Sequence, residues 1–375
     1  MRITGFETTR FTAISRTIRD AEGHGHPGPA HEVIHTLFTV KTDEGVEGHT
    51  FGGSAELAAY ATELLKGENP LDRERIWHRL RQFQRMDPIR LHDRNIGVVD
   101  VALWDFAGQL TKLPVSKLLG GYREKVPAYG STMCGDDIPG GLDSPEAYGE
   151  FALSLVRQGY KAVKLHTWMA PLGPDPKHDV AACRAVREAV GPDIELMLDC
   201  NHDYSREDAL YIGRELEKLN FLWFEEPMNE DSMSSYIWLS QQLDIPVCGP
   251  EVALGKNYSR AEWILRGGAD IGRYDIHHAG ITPMMKAVHL CESFGMALEV
   301  HGPGAAHLQV LGAMGIPGRY YERGLLHPHD DYEARTPWLK TIVDPLDADG
   351  NVAIPQLPGL GHDIDWAYIE EHAVR

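Results

Sequence analysis

The feature that most constrains this chain is a recurrence in its last two thirds. Short apolar runs return there at regular intervals: VPAYG (126–130), AVKLH (162–166), IELMLD (194–199), FLWFEE (221–226), PVCGPE (246–251), IGRYD (271–275), ALEVH (297–301) and RYYE (319–322). Between them lie amphipathic stretches with helix-start signals, such as Ser144 ahead of Pro145, or Ser205 with Asp208 three positions on. Runs of this kind alternating with helices are the mark of parallel βα units. Eight of them predict an α/β protein whose residues 126–327 close into a TIM-type barrel.

Most runs end in an ionisable residue. Lys164, Asp199, Glu225, Glu251, Asp275, His301 and Glu322 follow one another at 35, 26, 26, 24, 26 and 21 residues. One acid at a strand end is ordinarily a solvated turn or a helix cap. Seven in phase with a barrel repeat are expected to ring one cavity, because the C-terminal ends of all strands converge on one face. Asp199, Glu225 and Glu251 end consecutive strands, and three carboxylates share a desolvated pocket only around a cation. Oxygen ligands alone select a hard ion, and Mg²⁺ fits best. Cys200 and Cys248 stand an odd number of steps from these acids, so they are expected on the opposite face of their strands as buried small hydrophobes.

Lys164 and His166 are two apart and share a face. A lysine between Val163 and Leu165 is costly unless an anion or a titrating role compensates it. Asp275 and His301 end successive strands, so the carboxylate is placed to fix the imidazole tautomer, as a general acid/base requires. Glu322 reads equally as a site residue or as a surface strand end.

The N-terminal third reads differently. Residues 33–40 and 46–51 predict a hairpin across Thr42-Asp43-Glu44-Gly45, and the Gly-, His- and Pro-rich segment from Ser15 to Glu32 predicts a long loop. Apolar steps of three and four at Val98, Val101, Ala102, Leu103, Phe106 and Leu110 predict a helix. Residues 1–125 are thus expected to form an α+β capping domain, with the tail 328–375 packing back on it. A net charge of −19 argues against nucleic acid as a partner. Neither a signal peptide nor a membrane span is expected, and five dispersed cysteines suit reduced thiols in a cytoplasm.

Together these residues resemble the enolase superfamily, specifically its mandelate racemase subgroup. VVDVALWDFAGQLTKLPVSKLLGG (98–121), DCNHDY after the third barrel strand, FEEP (224–227) and the late Asp275 and His301 carry the resemblance, which covers nearly the whole chain. It implies a modified (β/α)7β barrel with an N-terminal cap, a homo-oligomer, Mg²⁺ on Asp199, Glu225 and Glu251, an Asp275–His301 dyad and a Glu322 that hydrogen-bonds an enolic intermediate; Lys or His bases acting with Mg²⁺ are a known pattern of enolase-type sites. In one respect the sequence departs. The subgroup commonly has Lys-x-Lys at the second strand, whereas Lys164-Leu165-His166 stands here, with the lysine for the substrate carboxylate and a histidine at the base position.

The implied chemistry is removal of the proton next to a carboxylate. Dehydration of an aldonic or aldaric acid to a 2-keto-3-deoxy acid is the favoured outcome, supported by a polar lid of Arg16, Arg19, His24, His26, His31 and Thr50. Racemisation, epimerisation or cycloisomerisation of a related hydroxy acid or lactone stays open, as does the choice of His166 or His301 as base. A sugar-acid receptor is the non-enzymatic alternative, disfavoured because a receptor has no use for paired bases. A metal-dependent hydrolase reading of His24-Gly25-His26 is discounted, since that motif belongs after the first barrel strand.

Overall fold

The structure, a computed structural model, describes residues 1–374 apart from 20–23, 169–171, 254–255, 279 and 316–317. It opens with a three-stranded antiparallel sheet of β1 (Ile3–Arg19), β2 (Gly25–Thr42) and β3 (Gly48–Phe51). The β2–β3 hairpin lies where the sequence places it. The Ser15–Glu32 loop does not: β1 and β2 stay paired from Ile3↔Thr42 out to Arg19↔Gly25, with 20–23 outside the described residues. Strand pairing here runs past the core into an arm with exposed Ile14 and Ile18, so no apolar alternation announced it.

Four helices follow, α1 (Ala55–Leu65), α2 (Arg73–Gln84), α3 (Asp93–Thr111) and the short α4 (Val115–Leu118). Ser54 caps α1 by accepting from the Leu57 amide. Helix α3 is buried on almost every side, because it packs on the sheet with one face and on the rest of the molecule with the other. Two acids at its centre are the joints. Asp105 accepts from the His49 amide at 2.8 Å and the Leu360 amide at 2.8 Å, and Asp100 accepts from Thr282 N at 2.9 Å.

The barrel strands are β4 (Lys125–Thr132), β5 (Ala162–His166), β6 (Glu195–Asp199), β7 (Trp223–Glu225), β8 (Val247–Cys248), β9 (Ile271–Asp275), β10 (Ala297–His301) and β11 (Tyr321–Leu326). Helices α5 (Pro145–Gln158), α6 (Pro176–Val190), α7 (Arg206–Lys218), α8 (Met233–Ser240), α9 (Lys256–Arg266), α10 (Ile281–Ser293) and α11 (Ala305–Ala313) connect them in turn, which is the (β/α)7β order. Ser144 caps α5 with proline at the first turn, and Ser205 caps α7 through the Asp208 amide. The parallel order runs β10-β9-β8-β7-β6-β5-β4-β11. Among the described residues β10 and β11 share no ladder, so this is the seam. Glu299 bridges it, accepting from Arg319 N at 3.1 Å and Tyr320 N at 3.2 Å.

Alternation sorts each strand. Val163, Leu165, Leu196, Leu198, Phe224 and Val247 face the helices, whereas Tyr129, Ala162, Met197, Trp223, Cys248 and Tyr320 fill the barrel below the polar ring. Cys248 therefore points inward, contrary to expectation. Its strand ends there, so counting alternate residues on to Glu251 carries no information, while Cys200 does lie on the helix side. The tail adds β12 (Asn351–Ala353), antiparallel to β4, and α12 (Trp366–Glu371). Beyond α12 the chain returns to the first sheet through Thr12 N to His372 O at 3.0 Å and Val374 N to Arg10 O at 2.7 Å.

Candidate active site

Lys164 stands at the centre of the ring, wholly buried, with its Nζ 2.8 Å from Asp199 Oδ2, 2.8 Å from Glu225 Oε1 and 2.9 Å from Glu322 Oε1. Two in-register ladders bring these groups together, His166↔Asp199 and Asp199↔Glu225. Burial and Arg273 work against the lysine's charge, but the three carboxylates outweigh them and hold the ammonium well above the usual lysine range. The two nearest acids respond unequally. Burial opposes the charge of both; Lys164 and His166 hold Asp199 well below the usual range, while Glu225 ends up above it because burial and the charges of Asp199 and Glu322 outweigh Arg273 and Lys164.

His166 donates from Nδ1 to the Thr132 carbonyl at 2.8 Å, which leaves Nε2 facing Asp199 Oδ2 at 3.1 Å. Across the ring, His301 Nδ1 lies 3.2 Å from Glu251 Oε1 and 3.3 Å from Asp275 Oδ2, and its side chain is 35% exposed. Against the effect of burial, Glu251 and Asp275 raise the imidazole to about 9. Burial pushes Glu251 up to about 7 despite the imidazole and Arg273. Against burial, the three imidazoles that approach it, those of His277, His301 and His307, keep Asp275 well below its usual range.

Glu322 sits elsewhere in its strand than expected. It is the second residue of β11, which runs on to Leu326, yet it is buried and accepts from Gly302 N at 2.7 Å and Ser131 Oγ at 2.9 Å. It thus joins β10's exit to β4 at the top of the seam. Glu251 lies beyond β8. Its backbone is gripped by Glu230, which accepts from the amides of Glu251 and Val252, and by Arg260, which donates to its carbonyl at 2.7 Å.

The sequence reading overlooked Arg273. This fully buried guanidinium reaches Glu225 Oε1 at 2.8 Å, Glu322 Oε2 at 2.6 Å, Glu251 Oε2 at 3.6 Å and the Val300 carbonyl at 3.3 Å. Its signal was the two-residue step to Asp275 in IGRYD, the same step that paired Lys164 with His166. His307 was also missed, and it lies beside Asp275 from the first turn of α11.

A cavity of about 1180 Å³ opens next to His301 and Asp275. Its other wall comes from the first sheet and α3, including Arg19, Thr50, Ser54, Arg94 and Asn95. The arm reaches over the ring as well, where Asn201 Nδ2 meets His24 Nε2 at 2.7 Å and Asn201 N donates to Asp199 Oδ1 at 3.1 Å. His24 is thus part of this cover, not of a separate His-x-His centre.

A barrel with titratable groups at the C-terminal ends of its strands, roofed by a second unit, is the architecture of barrel proteins that bind small polar molecules at that rim. The comparisons narrow the class. Residues 28–120 match the mandelate racemase / muconate lactonizing enzyme N-terminal domain, and residues 147–368 match the enolase C-terminal domain-like family. The chain belongs to the mandelate racemase subgroup of the enolase superfamily. It is 29% identical to an arabinonate dehydratase of Saccharolobus solfataricus, covering 89% of each chain, and 30% identical to a D-galactarolactone cycloisomerase of Agrobacterium fabrum, covering 88% of this chain and 89% of that one. Among solved structures, D-glucarate dehydratase from Agrobacterium tumefaciens complexed with magnesium superposes with a TM-score of 0.97 at 52% identity, each chain covered in full.

Proposed function

We propose that the protein is a magnesium-dependent acid-sugar dehydratase that removes the proton α to a carboxylate and expels the β-hydroxyl, giving a 2-keto-3-deoxy acid. The observation that carries this is the pair of imidazoles on opposite sides of one ring of buried carboxylates, His166 beside Lys164 and His301 on Asp275. The likeness to dehydratases supports it, above all the 52% identical D-glucarate dehydratase.

The donor set suits Mg²⁺. Asp199, Glu225 and Glu251 offer only oxygens, and burial raises Glu225 and Glu251 above the usual carboxylate range despite the cationic groups beside them, a cost that a bound divalent ion would offset. When bound, the ion stabilises negative charge on substrate oxygens. The other roles fall to the protein. Lys164 supplies a fixed positive charge for the substrate carboxylate, and Glu322, pinned by Gly302 and Ser131, faces the same point. His166, with Nδ1 committed to a carbonyl, has Nε2 for the α-proton. His301, held cationic by Glu251 and Asp275, is the acid for the leaving hydroxyl. The distant wall with Arg19 and Arg94 suits the second carboxylate of an aldaric acid. Five free, buried cysteines accord with a cytoplasmic location, and no helix among the described residues is long and apolar enough to cross a membrane.

The test combines turnover and metal binding. Mg²⁺-loaded protein should convert at least one member of an aldarate and aldonate library to a 2-keto-3-deoxy product. Asp199→Asn, Glu225→Gln and Glu251→Gln should each lose Mg²⁺ affinity by calorimetry and lose turnover. Unchanged affinity in all three would overturn the ligand assignment, and an isomerised lactone as sole product would favour cycloisomerisation.

A further inference from the structure

The carboxylate of Asp275 has two sides, and the dyad uses one of them. Oδ2 faces His301, while Oδ1 accepts from the His277 amide at 2.7 Å and lies 3.0 Å from His277 Nδ1 and 3.5 Å from His307 Nε2. The three donor atoms Asp275 Oδ1, His277 Nδ1 and His307 Nε2 all lie within 4.8 Å of one another.

His307 is the anomaly. It is 2% exposed, and among the described residues neither of its ring nitrogens has a hydrogen-bond partner. A buried imidazole left so is costly. Nothing in the dehydration scheme uses it. Yet Nε2 points at the oxygen that His277 also approaches, from an element that shares no strand with either.

Bonds of about 2.0–2.2 Å in a tetrahedral zinc site place neighbouring donors roughly 3.3–3.6 Å apart. The two separations involving Asp275 Oδ1, 3.0 and 3.5 Å, fall close to that value. Two imidazoles and one carboxylate also differ in kind from the oxygen ring of Asp199, Glu225 and Glu251. Nitrogen donors favour Zn²⁺ over Mg²⁺. All three residues line the cavity and the His277 side chain is 65% exposed, so an ion has a way in and a fourth position open to solvent.

We propose that Asp275, His277 and His307 form a second divalent-cation site, selective for Zn²⁺, whose occupation inhibits the enzyme. An ion on Oδ1 draws charge from the carboxylate whose Oδ2 faces His301, and it narrows the cavity at the same wall. The binding claim stands on these three residues alone and does not depend on which reaction the ring performs.

The experiment uses the full chain saturated with Mg²⁺. Calorimetry with Zn²⁺ should find one equivalent that excess Mg²⁺ does not displace, and Co²⁺ in its place should give the visible absorption of a low-coordinate site. Exchanging the exposed ligand, His277→Ala, should weaken that equivalent by at least the roughly 10- to 100-fold seen for loss of a mere supporting group. His307→Phe should do the same. Asp199→Asn should keep it. In turnover assays, Zn²⁺ inhibition should persist at high Mg²⁺ in the wild type and move to higher Zn²⁺ in His277→Ala, each relative to its own zinc-free rate. No extra equivalent, an equivalent that Mg²⁺ displaces, or one that His277→Ala leaves intact would overturn the proposal. Zinc binding without inhibition would overturn its regulatory half.

Discussion

The guanidinium of Arg273 spans Glu225, Glu322 and the Val300 carbonyl, a reach that one ammonium cannot match. Arg273→Met should therefore cost about 3–5 kcal/mol in urea unfolding, the usual price of stranding buried charges, and Arg273→Lys should recover only part of it. Near-wild-type stability of the methionine variant would show that the carboxylates are neutral in the fold. The two histidines separate by isotope exchange. If His166 takes the α-proton and His301 protonates the leaving group, His301→Asn should still wash deuterium into the substrate while forming no product. His166→Asn should do neither, because each imidazole reaches one face of the enolate. The mirror result, followed by NMR, would reverse the assignment. At this scale the sequence was legible where a strand-end position announced itself, as for Asp199, Glu225 and Asp275. Arg273 and His307 were not, since one lies a layer deeper in its strand and the other on a helix whose first turn happens to meet that strand's end.

Strands and helices were legible to the extent that burial writes a period into them. Eight apolar runs became eight barrel strands because each is packed between helices on one side and a filled interior on the other. The outer part of the β1–β2 arm buries little, so backbone pairing built it without leaving an apolar signature. How the sheet closes was also invisible, because side chains do the work of a ladder at the β10–β11 seam. Glu299 takes the amides of Arg319 and Tyr320 below, and Glu322 takes that of Gly302 above. Glu299→Ala should leave both amides without their acceptor, at about 1–3 kcal/mol for the buried one at Tyr320 and less for that of the exposed Arg319. Hydrogen exchange at Arg319 and Tyr320 should rise more than at β5 or β6. Equal protection of both regions in the variant would mean that the seam is held by something other than this carboxylate.

Across the whole molecule, the first sheet, the barrel and the tail meet at α3, in the stretch VVDVALWDFAG that carried much of the resemblance. Asp105 accounts for part of that motif physically. Its two oxygens take amides from β3 and from Leu360 in the tail, so one carboxylate ties three segments distant in sequence. Asparagine has one acceptor oxygen and would turn an NH₂ toward the other amide, so Asp105→Asn should cost about 1–3 kcal/mol near neutral pH. The pH dependence gives a sharper test. Burial raises Asp105 to about 6, outweighing the two backbone amides and the Gln109 side chain that favour the charged form. In the unfolded chain the same carboxyl titrates near 3.9, roughly its ordinary value. The folded state therefore binds the proton more tightly. Its contribution to stability is fully present below the unfolded value and is lost as pH rises through the folded one. Titrations shared by wild type and variant cancel in the difference between them. Urea midpoints measured from acid to neutral pH should show the advantage of wild type over Asp105→Asn shrinking as pH rises between about 4 and 6. An advantage that grows with pH across that window would mean that the amides outweigh burial, and that Asp105 joins the three segments as a full anion.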